Sequence, residues 1–490
     1  MSERLIPKAP SSPRPSAITV EHIHYRPSDG FFGDAIPFYW KGSYHIFYLK
    51  ATRAADERLF WSHIVSTDLV HWKELPDAIL PGESGAPDSG GCWTGSVIEK
   101  DDIFHIFYTG WNPSSPVPQT ICHAVSEDLV HWMKDERNPV LVPDERWYGK
   151  SDWRDPFVLW HPKEKRYFML ICATTKYGPA AKRGCVGLAK SYDLERWEAC
   201  PPFYAPNICG PMECPDLFEL DGRWYLLFSE FTESLQTHYR IADDLNGPWR
   251  PATPDVFNGQ RFYAAKTAGD RKRRFAFGWI PTREGESDEG KWQWGGHLAI
   301  PHELVIGNDG SISVRCPEEV INTFQFKELD VEKSISGLLG RWDFHRNDAY
   351  GERIDGLAYA TIADLRNDFV LMGEVSFQTS TREFGLLIRT DADLSAGYAL
   401  KFEPARNRVA FDRFPRAGDA PPLVECPIFL TPNKPTPFVV FVEGTIMEAF
   451  IGERVALSCR VYERYNEPTG LFLVEGAARY SKLQAAKSNR

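Results

Sequence analysis

The 490-residue chain has no run approaching eighteen consecutive apolar residues, which argues against a membrane-spanning helix. It also lacks a basic surplus. Its 56 Lys and Arg stand against 67 Asp and Glu, a net charge of −11, so there is no electrostatic footprint for nucleic acid or an anionic membrane. The start, Met1-Ser2-Glu3-Arg4-Leu5-Ile6, runs into a Pro- and Ser-rich stretch without a signal-peptide core. Residues 1–20 therefore read as a loose arm, and the expected location is cytoplasmic. Ten cysteines carry no paired metal-ligand spacing, and several sit in apolar runs such as Met169-Leu170-Ile171-Cys172, so free thiols are expected rather than disulfides or zinc ligands. No window shows strong 3.6-residue periodicity, which weighs against a helical bundle.

Aromatic residues are plentiful. The 16 Trp, 19 Tyr and 31 Phe make up 13% of the chain, a β-rich composition whose flat rings suit the apolar faces of sugars. The length suits two or three domains.

An internal repeat resolves that count. An aromatic and β-branched strand signal occurs at Tyr44-His45-Ile46-Phe47-Tyr48, Phe104-His105-Ile106-Phe107-Tyr108, Tyr167-Phe168-Met169-Leu170-Ile171, Trp224-Tyr225-Leu226-Leu227-Phe228 and Phe275-Ala276-Phe277-Gly278-Trp279, at spacings of 60, 63, 57 and 51 residues. Each of the first four is followed by a piece ending in Trp72, Trp132, Trp197 or Trp249. Four short strands every 50 to 60 residues read as a propeller blade. The expected fold is all-β: a five-bladed propeller over 21–315, a linker over 316–336, and a β-sandwich over 337–490 drawn from alternating runs such as Phe438-Val439-Val440-Phe441-Val442. The repeat-closing tryptophans, with His71 and His131, are expected to pack between blades, and Asp68, Asp128 and Asp193 to serve as turn residues. The basic run Arg271-Lys272-Arg273-Arg274 is expected as a solvated hairpin tip.

About ten positions upstream of each shared strand, where an innermost strand begins, lie Gly33-Asp34, Cys92-Trp93-Thr94-Gly95-Ser96, Trp153-Arg154-Asp155-Pro156, Glu213-Cys214-Pro215-Asp216 and Arg261-Phe262-Tyr263-Ala264. Equivalent positions of a radial repeat ring one mouth of the channel, so Asp34, Asp155 and Glu213 are expected to converge. Clustered carboxylates oppose one another's ionisation, a cost that glycoside hydrolysis exploits by pairing an attacking carboxylate with a proton donor. A Ca²⁺ or structural ion is the alternative use of such oxygens.

These residues resemble glycoside hydrolase family 32, the invertase, levanase and inulinase group. Trp153-Arg154-Asp155-Pro156 and Glu213-Cys214 resemble its Arg-Asp-Pro and Glu-Cys motifs. Trp61-Ser62-His63 through Trp72, Trp93-Thr94-Gly95-Ser96, Phe262 through Thr267, and Trp294-Gly295-Gly296-His297 through Leu304 match in order. The resemblance implies the same propeller and sandwich, with no metal or organic cofactor. It makes Asp34 the nucleophile, Asp155 the stabiliser beside Arg154, and Glu213 the acid/base of a retaining β-fructofuranosidase-like glycosidase. Trp61, Trp93, Ser96, Tyr263 and Trp294 would form the sugar-binding wall with Arg154.

The first motif departs from the family. Where the usual run is Trp-Met-Asn-Asp-Pro-Asn-Gly, this chain has Phe31-Phe32-Gly33-Asp34-Ala35-Ile36-Pro37, keeping the aspartate and losing both amides. A fructo-oligosaccharide, difructose anhydride or related furanoside is expected in place of sucrose. The alternatives are an inverting arabinan- or xylan-type furanosidase on the related five-bladed fold, and a non-catalytic carbohydrate-binding protein. The sandwich is expected to serve packing or homo-oligomer formation. The expected partner is a small carbohydrate, with neither nucleic acid nor membrane.

Overall fold

Each of the first four repeats forms a four-stranded antiparallel meander in the computed structural model, which describes residues 23–52, 58–270, 272–416 and 418–487. The arm expected over 1–20 lies outside them. Blade 1 holds β1 (Gly30–Trp40), β2 (Ser43–Thr52), β3 (Phe60–Ser66) and β4 (Lys73–Ile79). Blade 2 holds β5 (Gly91–Lys100), β6 (Ile103–Trp111), β7 (Gln119–Ser126) and β8 (Met133–Lys134). Blade 3 holds β9 (Tyr148–His161), β10 (Arg166–Thr175), β11 (Gly184–Ser191) and β12 (Glu198–Tyr204). Blade 4 holds β13 (Glu213–Leu220), β14 (Arg223–Glu230), β15 (Gln236–Ala242) and β16 (Arg250–Pro251). In the fifth, β17 (Tyr263–Gly269), β18 (Arg274–Arg283) and β19 (Trp292–Leu298) continue into β20 (His302–Ile306) and β21 (Ile312–Arg315). Strand β19 pairs with β1 at Phe32 and Gly296, so the last blade is hydrogen-bonded to the first and the ring closes.

The second strand of each blade is apolar on both faces because blades stack face to face. Ile46 and Phe47, Ile106 and Phe107, Leu170 and Ile171, and Leu226 and Leu227 are all fully buried. Between blades 1 and 2 the layer holds Leu49, Trp61 and Ile106; between 2 and 3, Phe107, Trp153 and Ile171; between 3 and 4, Leu170, Leu217 and Phe228.

The turn expectation is met in atomic detail. Asp68 Oδ1 accepts from the backbone N–H of Val70 and His71 at 3.0 and 2.8 Å, and Asp128 and Asp193 repeat the pattern. The intervening Leu69, Leu129 and Leu194 take left-handed φ values of 65°, 65° and 72°, which turn their side chains into the core. Trp132 then packs edge-on against Phe47 of blade 1, and Trp197 against Phe107 of blade 2. His71 and His131 differ from expectation. Both rings lie in solvent, each bonded by Nδ1 to its turn aspartate at 2.7 Å, because the residue closing this turn points outward. The basic run also differs: Lys272 is exposed, but Arg273 pairs with Glu303 and Glu319, and the Arg274 guanidinium lies 4.2 Å over Phe218. Residue 271 lies outside the described residues.

Beyond Arg315, interrupted by the short helices Glu318–Ile321 and Val331–Ser334, the remaining strands form a 13-stranded antiparallel system folded into two layers over a core of Leu371, Leu386, Leu400, Val440, Leu457 and Leu471. The layers share the 20-residue strand Pro468–Lys487. Its first part pairs with Glu383–Ile388 and its second with Phe369–Phe377. Between them Glu475 (φ 50°) and Gly476 (φ 118°) bend the strand from one layer to the other, and a β-carbon at 476 would lie 2.6 Å from Thr381 Cα. The sandwich meets the propeller through a shared apolar core in which Phe441, Phe450 and Ala456 pack with Phe257, Phe262 and Ile300.

Candidate active site

All five innermost strands carry an irregularity at the same place. The pairing slips between Phe32 and Ala35, Trp93 and Gly95, Arg154 and Phe157, Glu213 and Asp216, and Tyr263 and Lys266. A bulge inserts an unpaired residue and re-aims side chains, which is how a repeat built for packing acquires a polar mouth. Asp155, Cys214 and Ala264 occupy the first bulged position in blades 3, 4 and 5, with left-handed φ values of 57°, 51° and 54°. Such conformations cost on the order of 1–3 kcal/mol each and concentrate at functional sites.

Asp34, Asp155 and Glu213 do converge, but from three successive places of the bulge and not from one equivalent position. Glu213 precedes its bulge, Asp155 is the first bulged residue, and Asp34 the second. This staggering lets neighbouring carboxylates sit at different depths around one centre. The three residues preceding the bulges of blades 3, 4 and 5, namely Arg154, Glu213 and Tyr263, form a hydrogen-bonded line. Arg154 Nη2 donates to Glu213 Oε1 at 3.1 Å, and Tyr263 OH donates to Glu213 Oε2 at 2.7 Å. Asp34 accepts from Trp279 Nε1 at 3.0 Å. Asp155 accepts from the Cys214 N–H at 3.1 Å, while its own N–H donates to Thr109 Oγ1 at 2.8 Å. All three carboxylates are buried.

One cation serves this acidic cluster from within. Arg154 lies 3.8 Å from Asp155, 2.7 Å from Asp152 and 3.2 Å from Gln119 Oε1. Burial opposes its charge, yet the carboxylates of Glu213, Asp155 and Asp152 hold it well above the usual guanidinium value. The Cys214 sulfur lies between Asp34 Oδ2 at 4.0 Å and Asp155 Oδ2 at 3.8 Å; burial and then those two charges push its thiol well up, so it remains a neutral packing group. Lys266 crosses the channel from blade 5 to the Gly95 carbonyl of blade 2.

The expected sugar wall divides. Trp61 is fully buried between blades 1 and 2, its indole N–H donating to Trp93 O at 2.8 Å, so it braces the wall from behind and does not face a ligand. The Ser96 hydroxyl accepts from Val158 N at 3.0 Å, tying blade 2 to blade 3. Both corrections arise because their β-strand positions point between blades. Trp93 and Trp294 are half-buried; the former stacks on Trp111 at 4.6 Å, and the latter packs beside Trp279 at 5.8 Å. Tyr263 is engaged with Glu213.

Residue 24 through residue 317 matches the glycosyl hydrolases family 32 N-terminal domain, and residues 354–487 match the C-terminal domain of the same family. The chain belongs to glycosyl hydrolase family 32. It is 28% identical over 343 residues to the β-fructofuranosidase, insoluble isoenzyme CWINV6, of Arabidopsis thaliana, a match covering 63% of this chain and 61% of that protein. The chain thus spans about three fifths of the length of such relatives. Among solved structures, sucrose-6-phosphate hydrolase from Lactobacillus gasseri superposes with a TM-score of 0.74 at 19% identity, covering 97% of this chain and 94% of that one. Fructan 1-exohydrolase IIa from Cichorium intybus, in complex with 1-kestose, gives 0.72 at 19% identity, covering 96% and 98%. These likenesses establish the five-bladed propeller with its sandwich.

Within this family-32 chain, sequence reasoning missed four groups that organise the site: Trp279 on Asp34, Gln119 and Asp152 on Arg154, and Lys266 across the channel. Trp279 and Lys266 lie in segments that carried the repeat or the family match, but only the closed ring reveals what they touch. Gln119 and Asp152 sit in no motif. The altered first motif is also clarified. Ile36 is buried in the layer between blades 1 and 2, whereas Gly33 directly precedes Asp34 at the mouth.

Proposed function

We propose that this protein is a retaining furanosidase that cleaves a β-fructofuranoside, a fructo-oligosaccharide or a related furanoside such as a difructose anhydride, through a covalent glycosyl intermediate. The observation that carries the reading is the convergence of Asp34, Asp155 and Glu213, from blades 1, 3 and 4, on the single guanidinium of Arg154 and the sulfur of Cys214.

Asp34 attacks the anomeric carbon. Its Oδ1 is pinned by Trp279, so the carboxylate presents a fixed edge to the sugar. Glu213, held on one oxygen by Arg154 and on the other by Tyr263, delivers the proton to the leaving oxygen and then takes one from the attacking water. Asp155, oriented by the Cys214 N–H, binds ring hydroxyls as positive charge develops. The same reading assigns catalysis to residues 21–315 and gives the sandwich after the 316–336 linker a supporting role. Two donors already occupy Glu213, which favours this use of the carboxylates over an ion site.

The test is a panel of fructosides, difructose anhydrides and arabinofuranosides, with the anomer of the first product read by NMR. Retention at the anomeric carbon, and loss of turnover in Asp34→Ala and Glu213→Ala, are expected. Inversion, or full activity in either variant on the best substrate, overturns the reading. Sugar binding with no turnover anywhere in the panel assigns the protein to carbohydrate binding.

A further inference from the structure

The residue before the nucleophile has no side chain, and the structure shows what stands there. A β-carbon built on Gly33 would come within 2.2 and 2.3 Å of Trp294 Cζ2 and Cη2, and 3.0 Å from the Leu49 carbonyl oxygen. No rotamer relieves contacts to the first side-chain atom. The indole therefore fills the volume that any side chain at 33 would need. Trp294 is pinned there from behind. Gly295 follows it with φ 83°, and Gly296 pairs with Phe32, where a β-carbon would lie 1.9 Å from the Ile280 carbonyl oxygen. The indole also packs at 5.8 Å and 59° against Trp279, whose N–H holds Asp34. It stays half-buried beside Gly33, the residue that precedes Asp34.

Resting on the furanosidase reading above, we infer that Gly33 and Trp294 act as one specificity element, making the wall beside Asp34 an aromatic plate that selects furanosyl rings by shape and apolar contact. The substrate class is a furanoside whose hydroxyl on that side is absent or carries an apolar group, accepted about as well as the parent sugar. A site that hydrogen-bonds a hydroxyl rejects the analogue lacking it by about 10⁴-fold or more, because its own polar group is then buried unpaired. An indole carbon face leaves nothing unpaired, so it does not discriminate. Trp294 touches substrate in this scheme, and Gly33 acts through it by leaving it room.

The experiment measures kcat/KM for the parent β-fructofuranoside and for each monodeoxy analogue in the wild type, Gly33→Asn, Trp294→Ala and the Gly33→Asn/Trp294→Ala double variant. Folding is checked by thermal melting. The same comparison is made as the Kd of the free sugars by calorimetry on Glu213→Gln protein. Absence of turnover would then count against the furanosidase reading, while discrimination is still read from binding. In the wild type at least one monodeoxy analogue should fall within about 10-fold of the parent. Gly33→Asn should lose binding of both. The double variant should recover the parent and reject that same analogue by more than about 100-fold, since an amide then faces the hydroxyl with space to stand in. Trp294→Ala should weaken parent and analogue equally. The inference is overturned if the wild type rejects every monodeoxy analogue by 10³-fold or more, or if Gly33→Asn folds and binds the parent as tightly as the wild type.

Discussion

Raising the pH should loosen the joint between propeller and sandwich through one residue. His24 is buried with Nδ1 2.7 Å from Glu443 and Nε2 2.8 Å from Glu448, both on sandwich strands, and Glu448 also accepts from the Ile300 N–H at 2.8 Å. Burial alone would lower the imidazole pKa, but the two carboxylates reverse that and raise it from 6.5 to about 10. A raised folded value means that the contribution is complete below pH 6.5 and is lost as pH climbs through about 10. At about 1.4 kcal/mol per unit, the shift corresponds to a loss on the order of 4–5 kcal/mol across that window. The assay is the denaturant midpoint between pH 6 and pH 10.5 for the wild type and His24→Gln. The variant should be weaker at pH 6 by about 3–5 kcal/mol, because two buried carboxylates lose their cation. The gap should close toward pH 10. Parallel pH profiles for the two proteins would refute the reasoning, since every other titrating group is common to both.

Acid should act through different histidines. His45 and His63 are hydrogen-bonded to each other at 3.1 Å in blade 1, and His105 and His123 at 3.0 Å in blade 2, with burial pushing His63 down to about 3 and His45 and His105 to about 4. Their stabilisation is present above pH 6.5 and is lost as pH falls through about 4, so a His63→Gln/His105→Gln variant should show a shallower fall in Tm over that range. Trp279→Phe removes the donor to Asp34 and should lower kcat by about 10- to 100-fold, for a hydrogen bond to a charged group of about 1.5–3 kcal/mol, with Tm little changed. Arg154→Met leaves Glu213, Asp152 and Asp155 without their shared cation; turnover should vanish and stability should drop by about 3–5 kcal/mol on a melting curve. Asp68→Ala frees two backbone N–H groups of the blade 1 turn and should cost about 1–2 kcal/mol without altering KM.

Much of the candidate site could be read along the chain because Asp34, Asp155 and Glu213 each lie about ten residues before a repeated strand. What could not be read is depth and direction. Asp34, Asp155 and Glu213 look equivalent in sequence, yet bulges place them one residue apart along their strands, and a bulge exists only in the pairing of two strands. Trp61 and Trp93 both sit in matched motifs, but one is sealed between blades and the other stays half-buried against Trp111, a difference set by packing. His71 and His131, grouped with core tryptophans by position, point outward because the turn and not the motif fixes their direction.

The sequence by itself determined the number of blades, the sheet class and the chemical character of the mouth. These follow from local patterns, namely an aromatic and β-branched strand signal repeated every 50 to 60 residues, aspartate turns, and carboxylates near the start of the innermost strand in three of the five repeats. Tertiary structure alone decided which groups meet across the ring: Trp279 on Asp34, Lys266 on Gly95, Trp294 over Gly33, and His24 between two glutamates more than 400 residues away. Such contacts depend on ring closure and on how the sandwich docks. No local pattern encodes those, because they are set by the packing of surfaces far apart in the chain.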